Sequence, residues 1–336
     1  MLSSSWTFRA AMLACSSMAA SLVLSAQAPL KLVSTAWPPF TNPSPQPRFA
    51  LDLVEAALGR INRSATTTIV SPGEFTRMLL SREFDGSAAA WKDAERDRVL
   101  LFSQPYLENR LVLVGRRDAD VSARALADLK GKRVALVEGY SYGEAANTVN
   151  PVFVRSTSEE DSLTRLLRGD VDYTLMDELV VQYIVDNYPK ESAAKLKIGT
   201  VPLITRELYF AVRRSHPEAE QIVAGFNAQL RGMIADRTYH RLLHVKWIRA
   251  DITGDSVPEY VPIDDRAGPT EPKRIYTLFT SPNVDSLTKE TATKPGFYLG
   301  GNIYRDWASV PQNYKVSNSD PPDSRRSTAS VFKFVW

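Results

Sequence analysis

Between Lys31 and Val137 the chain alternates short strand-like runs with helix-spaced ones, and this alternation narrows the possible folds more than any composition figure does. Lys31-Leu32-Val33-Ser34 reads as a strand. Trp37-Pro38-Pro39-Phe40 ends it, because proline has no N–H to give to a ladder. Asn42-Pro43-Ser44-Pro45-Gln46-Pro47 turns the chain, and Phe49 to Leu58 then carries apolar residues at helical spacing. Thr66 to Val70 is β-rich, Phe75 to Leu80 is helical, and Phe84-Asp85-Gly86-Ser87 is strand-like. Strands that alternate with helices predict an α/β fold, a largely parallel sheet with crossover helices.

A second unit starts near Asp118. Ala125 to Gly131 leads into the apolar strand Arg133-Val134-Ala135-Leu136-Val137, and Glu138-Gly139-Tyr140-Ser141-Tyr142-Gly143 opens a helix after it. Ser162 to Leu167 is helical, Gly169 to Asp177 holds the next strand, and Leu179 to Tyr188 is helical again. Leu208 to Arg213 is a strand that rejoins the first unit. Helices follow from Pro217 to about Met233 and from Thr238 to Trp247. The tail from Arg249 reads as a small β-rich appendage packed on the first unit, with Ser317 to Thr328 loose by composition.

Met1 to Arg9 carries one positive charge, Ala10 to Leu24 is small and apolar, and Ser25-Ala26-Gln27-Ala28 offers a small-residue exit. This is the pattern of an export signal over 1–28. A membrane anchor needs about 20 apolar residues, and Ser16, Ser17 and Ser21 interrupt this stretch. A lipid-anchored alternative rests on Leu13-Ala14-Cys15. Cys15 is the only cysteine in the chain, so disulfides, thiol catalysis and cysteine-ligated metals are not expected in the mature protein. The net charge of +3 is close to balance, and no dense basic run with interleaved aromatics occurs, which argues against nucleic acid as a partner.

Ala94-Glu95-Arg96-Asp97-Arg98 followed by Phe102-Ser103-Gln104-Pro105-Tyr106 resembles the signature of the family 3 extracellular solute-binding proteins, the amino-acid-type receptors of bacterial importers. Further matching points come in order: Trp37-Pro38-Pro39-Phe40, Phe49-Ala50-Leu51-Asp52-Leu53, Phe84-Asp85-Gly86, Asp128-Leu129-Lys130-Gly131-Lys132, Val171-Asp172-Tyr173, and Tyr239 to Trp247. The resemblance implies a two-lobed periplasmic binding protein type II fold. Lobe 1 would take residues 29–116 and 205–248, lobe 2 residues 117–204, and a C-terminal extension 249–336. Crossing segments would lie near Gly115-Arg116-Arg117 and Pro202-Leu203-Ile204-Thr205, with a small-molecule solute held between the lobes.

By the same resemblance, Arg96 grips a ligand carboxylate and Asp177 an α-ammonium. Arginine suits the first task because it is planar, permanently charged and able to bond in pairs. The plainer alternatives are that Arg96 pairs with Asp93 or Glu95 and that Asp177 caps the helix from Glu178. Trp37 matches the position whose ring packs over the ligand, with core packing beside Pro38 as its alternative. Ser141 and Tyr142 belong to the loop whose amides would meet an anion at a helix start, or would merely cap that helix. Amino-acid binders carry serines or threonines before the arginine, whereas this chain has Ala88, Ala89 and Ala90. Ala89 therefore offers only backbone donors, and Trp91 either fills space or stacks on a flat ligand.

No metal or other cofactor is expected. Asp236, His240 and His244 would share one helical face at a spacing that could hold zinc, but the matching family helix is structural. Asp251, Thr253, Asp255 and Glu259 resemble a calcium loop, from which Thr253 and Ser256 depart. The expected protein is a monomeric periplasmic binding protein without enzymatic activity, serving the membrane subunits of an ABC importer or a sensor. Two rivals stand beside it. One is a cyclohexadienyl-dehydratase-like enzyme using Glu138 or Glu144 as general acid, and the other is an interaction module docking through the tail.

Overall fold

The computed structural model describes residues 28–143, 146, 151–243, 246–253, 255, 257–272, 276–277 and 295–316. The export signal, Cys15, Glu144, His244, Ser256 and the segment Ser317 to Thr328 lie outside these residues.

The first half of the chain sets β1 (Leu30–Thr35), α1 (Phe49–Gly59), β2 (Ala65–Val70), α2 (Pro72–Leu80), β3 (Gly86–Trp91), α3 (Ala94–Val99), β4 (Leu100–Phe102) and β5 (Leu107–Arg116) in sequence. The second half adds β6 (Arg133–Val137), β7 (Val152–Ser156), α4 (Glu159–Arg168), β8 (Tyr173–Asp177), α5 (Glu178–Asn187) and α6 (Pro189–Lys195). β9 (Leu196–Arg213) then returns to the first half, followed by α7 (Ala219–Ala235) and α8 (Thr238–Leu243). One sheet runs through both halves in the order β2-β1-β3-β9-β5-β8-β6-β7, with β4 also paired to β9. β1, β2 and β3 are mutually parallel, as are β6, β7 and β8. β5 and β9 pair antiparallel from Leu107↔Leu208 to Arg116↔Leu196 and so carry both halves.

The sequence marks only Leu208 to Arg213 of β9, which in fact spans 18 residues. Gly199 and Pro202 break the alternation a strand would show. Both are accommodated where the β5–β9 register shifts, with Pro202 opposite Val112. α1 buries Phe49, Leu51, Leu53, Val54 and Leu58 and packs on α7 and α8. α4 is capped by Ser158, whose hydroxyl accepts the Asp161 N–H at 3.1 Å, and it ends at Gly169 with φ 85°.

Of the helix expected from Thr238 to Trp247 the described part is Thr238–Leu243, and Trp247 opens β10 (Trp247–Ala250) instead. Its indole packs on Phe297 and Trp307 of the tail, contacts that local spacing cannot announce. β10 joins β11 (Glu259–Pro262), β12 (Tyr276–Thr277), β13 (Phe297–Leu299) and β14 (Asn302–Tyr304) in a small sheet ordered β12-β10-β11-β13-β14. Ile248, Ala250 and Val261 of that sheet belong to the main core. His240 is fully buried with Nε2 3.1 Å from the Val261 carbonyl, and burial holds its pKa down at about 4.

The small sheet thus completes the first half. Ending the chain at Trp247 removes the buried side chains of Ile248 and Val261, each worth about 1.5–3 kcal/mol. Such a chain should melt well below one ending at Val316, as read by circular dichroism.

A candidate ligand-binding cleft

In open α/β sheets ligands sit beyond the carboxyl ends of the parallel strands, and here all six such ends deliver side chains to one cleft. From the first half, β1 leads to Trp37, β2 to Phe75 and Thr76 of α2, and β3 to Trp91 and the turn before Arg96. From the second, β6 leads to Gly139–Tyr142, β7 to Glu159 at the start of α4, and β8 to Asp177.

Arg96 is positioned by its own turn. Asp93 caps α3 by accepting the Arg96 backbone N–H at 2.8 Å, and its other oxygen lies 3.4 Å from the Arg96 Nε. The guanidinium is almost fully buried. Nη1 donates to the Trp91 carbonyl at 3.0 Å, while Nη2 donates to Thr76 Oγ1 at 2.9 Å and to the Gly139 carbonyl at 3.2 Å. The last bond crosses from one half of the sheet to the other. Burial pulls the guanidinium below its usual pKa range, with Asp93 opposing and Arg206 adding to the shift. Gly139 has φ 79°, and a Cβ there would meet the Pro72 carbonyl at 2.3 Å, so the crossing contact requires glycine.

Aromatic rings fill the centre. Trp91 lies 5.6 Å from Trp37, 5.6 Å from Tyr140 and 5.5 Å from Tyr142, all edge to face. The Trp91 indole N–H donates to Asn109 Oδ1 at 2.7 Å, and Asn109 Nδ2 donates to Asp177 Oδ2 at 3.0 Å. Tyr142 is anchored, its hydroxyl accepting the Val137 N–H at 2.9 Å. The cavity left between Thr35, Trp37, Ala89, Trp91, Arg96 and Ser141 measures about 20 Å³, room for about one water.

All seven residues singled out in the sequence (Trp37, Ala89, Trp91, Arg96, Ser141, Tyr142 and Asp177) come to this cleft or its walls. The plainer roles hold as well. Asp93 does lie beside Arg96, and Asp177 does cap α5, its Oδ1 accepting the Leu179 N–H at 2.8 Å. Between Gly143 and Pro151 only Ala146 is described, so the helix start expected there lies outside the described residues.

One residue of this cleft escapes sequence reasoning. Glu159 is 6% exposed, with the Trp37 indole beside its carboxyl. Burial and the neighbouring Asp177 push its carboxyl up to about 8, partly offset by the Trp37 indole. Burial likewise raises Asp177 to about 7, against the Leu179 N–H, Asn109 and Arg110. The zinc spacing dissolves, because α7 ends at Ala235, just before Asp236, and His240 sits on the separate α8 facing Val261. Asp236 bonds Arg60 instead. In the calcium-like loop, Glu259 is buried and accepts the Ile252 N–H at 3.1 Å, and no acidic or histidine cluster among the described residues could hold a metal ion.

Both raised carboxyls favour the protonated folded state. Their contribution to stability is complete below the unfolded values of 4.5 and 3.8 and is lost as pH rises through about 7 to 8. The protein should lose at least about 1.4 kcal/mol of stability between about pH 5 and about pH 8, the worth of a tenfold change in one protonation equilibrium. Glu159→Gln should flatten that slope in denaturant titrations.

A family model described as bacterial extracellular solute-binding proteins, family 3, matches residues 32–250. ABC transporter arginine-binding protein 1 of Escherichia coli (strain K12) is 25% identical over 216 residues, covering 62% of this chain and 86% of that protein. Virulence sensor protein BvgS of Bordetella pertussis is 28% identical over 153 residues, 45% of this chain but 12% of that longer protein. A crystal structure of a mutant of ArgBP from T. maritima superposes with a TM-score of 0.53 at 25% identity, covering 64% of this chain and 93% of that one.

Proposed function

Because this chain belongs to the bacterial extracellular solute-binding proteins, family 3, we propose that its solute is an α-amino acid, held between Arg96 and Asp177. The observation that carries this reading is the approach of one buried guanidinium and one buried carboxylate to a single cleft from opposite halves of the sheet. A zwitterion supplies the complement of each. Its carboxylate would take the guanidinium fork now occupied by the Gly139 carbonyl, and its ammonium would lie toward Asp177. Trp37 and Trp91 would wall the ligand's apolar part, with the Ala89 backbone and Ser141 at its rim.

A cavity of about 20 Å³ is too small for an amino acid. Entry therefore needs the two halves, 29–116 with 205–248 against 117–204, to part and close again about β5 and β9. The ligand would stabilise the closed arrangement by completing its charge network. The protein would act as a monomer in the periplasm, without enzymatic activity. It would hand the solute to ABC importer membrane subunits, as the relatedness to an importer's arginine-binding protein suggests, or report it to a sensor. Of the acids offered for a dehydratase, Glu138 is exposed, which does not favour that reading.

A thermal-shift screen of the amino acids should yield at least one that raises the melting temperature, since binding to the folded state stabilises it by mass action. Removing one partner of a buried ion pair costs about 3–5 kcal/mol. Arg96→Ala should therefore weaken that ligand at least about a hundredfold in calorimetry. Undiminished binding by this variant would refute the reading.

A further inference from the structure

The end of the second half that lies away from the cleft holds a groove to which the reading above gives no role. Along β5, Leu111 pairs with Asp177 at the cleft, whereas Arg116 pairs with Leu196 at the start of β9. The strand between them spans on the order of 16 Å. The groove has a volume of about 560 Å³ and is lined by Arg116, Arg117, Asp118, Ala119, Leu167 and Lys195. Sites for small molecules commonly measure roughly 300–1,000 Å³.

Two of its cations are held in place by helix ends. α4 finishes at Arg168 and α6 at Lys195. Arg116 Nη1 donates to the Leu166 carbonyl in the last turn of α4 at 2.8 Å and to the Val171 carbonyl at 2.9 Å. Arg117 Nη1 donates to the Ala193 carbonyl in the last turn of α6. The last carbonyls of a helix take such donors readily, so capping accounts for one nitrogen of each guanidinium. Among the described residues, Nε and Nη2 of both have no acceptor. A guanidinium fixed through one nitrogen and open along its Nε–Nη2 edge is a preset fork for a carboxylate or a phosphate.

Charge accounting gives the class of ligand. Arg116, Arg117 and Lys195 face Asp118 alone, which leaves two positive charges in excess in the groove. None of the four is in an ion pair with another described residue. Nearby charges do not remove the excess. Arg168 is followed by Asp170, Arg133 pairs with Asp172 at 3.7 Å, and Lys197 adds a further cation. A zwitterion leaves this excess in place, whereas a dianion cancels it.

We propose that this groove is a second ligand site, separate from the Arg96 cleft, for a compact organic dianion, a dicarboxylate or a phosphomonoester. One anionic group takes the open edges of Arg116 and Arg117, the other lies toward Lys195, and the carbon skeleton runs along Ala119 and Leu167. Asp118 repels such a ligand and so restrains its affinity. The charged groups are exposed, so binding is sensitive to salt.

Isothermal titration calorimetry in a phosphate-free buffer tests this with succinate, glycerol 3-phosphate and the monoanion acetate. At least one dianion should bind wild type at millimolar concentration or below, at least about tenfold more tightly than acetate. It should bind more weakly at about 0.15 M than at about 0.01 M salt. Lys195→Glu, which cancels the excess charge, should weaken that dianion about tenfold, and Asp118→Asn should tighten it about two- to fivefold. A damaged protein does not gain affinity, so the second variant decides the matter even if the first folds poorly. Equal affinity in wild type and both variants means that the dianion binds elsewhere, which overturns the groove and leaves the amino-acid reading standing. Acetate bound as tightly as the dianions overturns it too, as does failure of both dianions to bind at millimolar concentration in low salt.

Discussion

The buried guanidinium of Arg96 holds together the parts of this molecule that face one another. It bonds the end of β3 through the Trp91 carbonyl, α2 through Thr76 and the loop after β6 through the Gly139 carbonyl. A lysine could not serve three acceptors in such separate directions, because its single nitrogen presents a compact point charge. Desolvating a permanent cation is costly, and that cost is offset only while every acceptor stays in place. The Asp93 cap, the positive φ of Gly139 and the hydroxyl of Thr76 are thus parts of one arrangement.

Around that cation the cleft is built from rings and acids in place of hydroxyls. Three alanines precede Trp91 and the Ser87 hydroxyl is spent on the Ala89 carbonyl, so β3 leaves no free side-chain donor for an anion, and the Trp91 indole donates to Asn109 and, through it, is linked to Asp177. The two ends of the site are therefore linked through the protein itself. A change at Trp91 is felt by the carboxylate end as well as by the cavity. The packed rings also keep water from the acids, and this low-dielectric setting raises their pKa values.

Much of this was readable in the sequence. The alternation of strand and helix, the proline stop after β1 and the order of the motifs all agree with the observed sheet, and the family is shown by the match over residues 32–250. Arg96, Asp177, Trp37 and Trp91 were legible because each stands at a strand end or in the segment just after one, in a recognisable motif. Glu159 was not. Ser158-Glu159-Glu160-Asp161 reads as an ordinary acidic helix start, and only the placement of α4 behind the rings separates the buried first acid from the others. The length of β9 was hidden by Gly199 and Pro202, whose tolerance depends on a register shift in the partner strand. That Trp247 opens a strand was hidden because it is held by aromatic residues some fifty to sixty positions downstream in the chain.

The central claim is that an amino acid replaces the protein's own acceptors on Arg96 and brings its cation to the acidic end of the cleft. A crystal structure with the most stabilising amino acid bound tests this most directly. The account predicts the ligand carboxylate on the Arg96 guanidinium where the Gly139 carbonyl now sits, and the ligand ammonium against Asp177. A ligand bound elsewhere, with the Arg96–Gly139 bond intact, would contradict it.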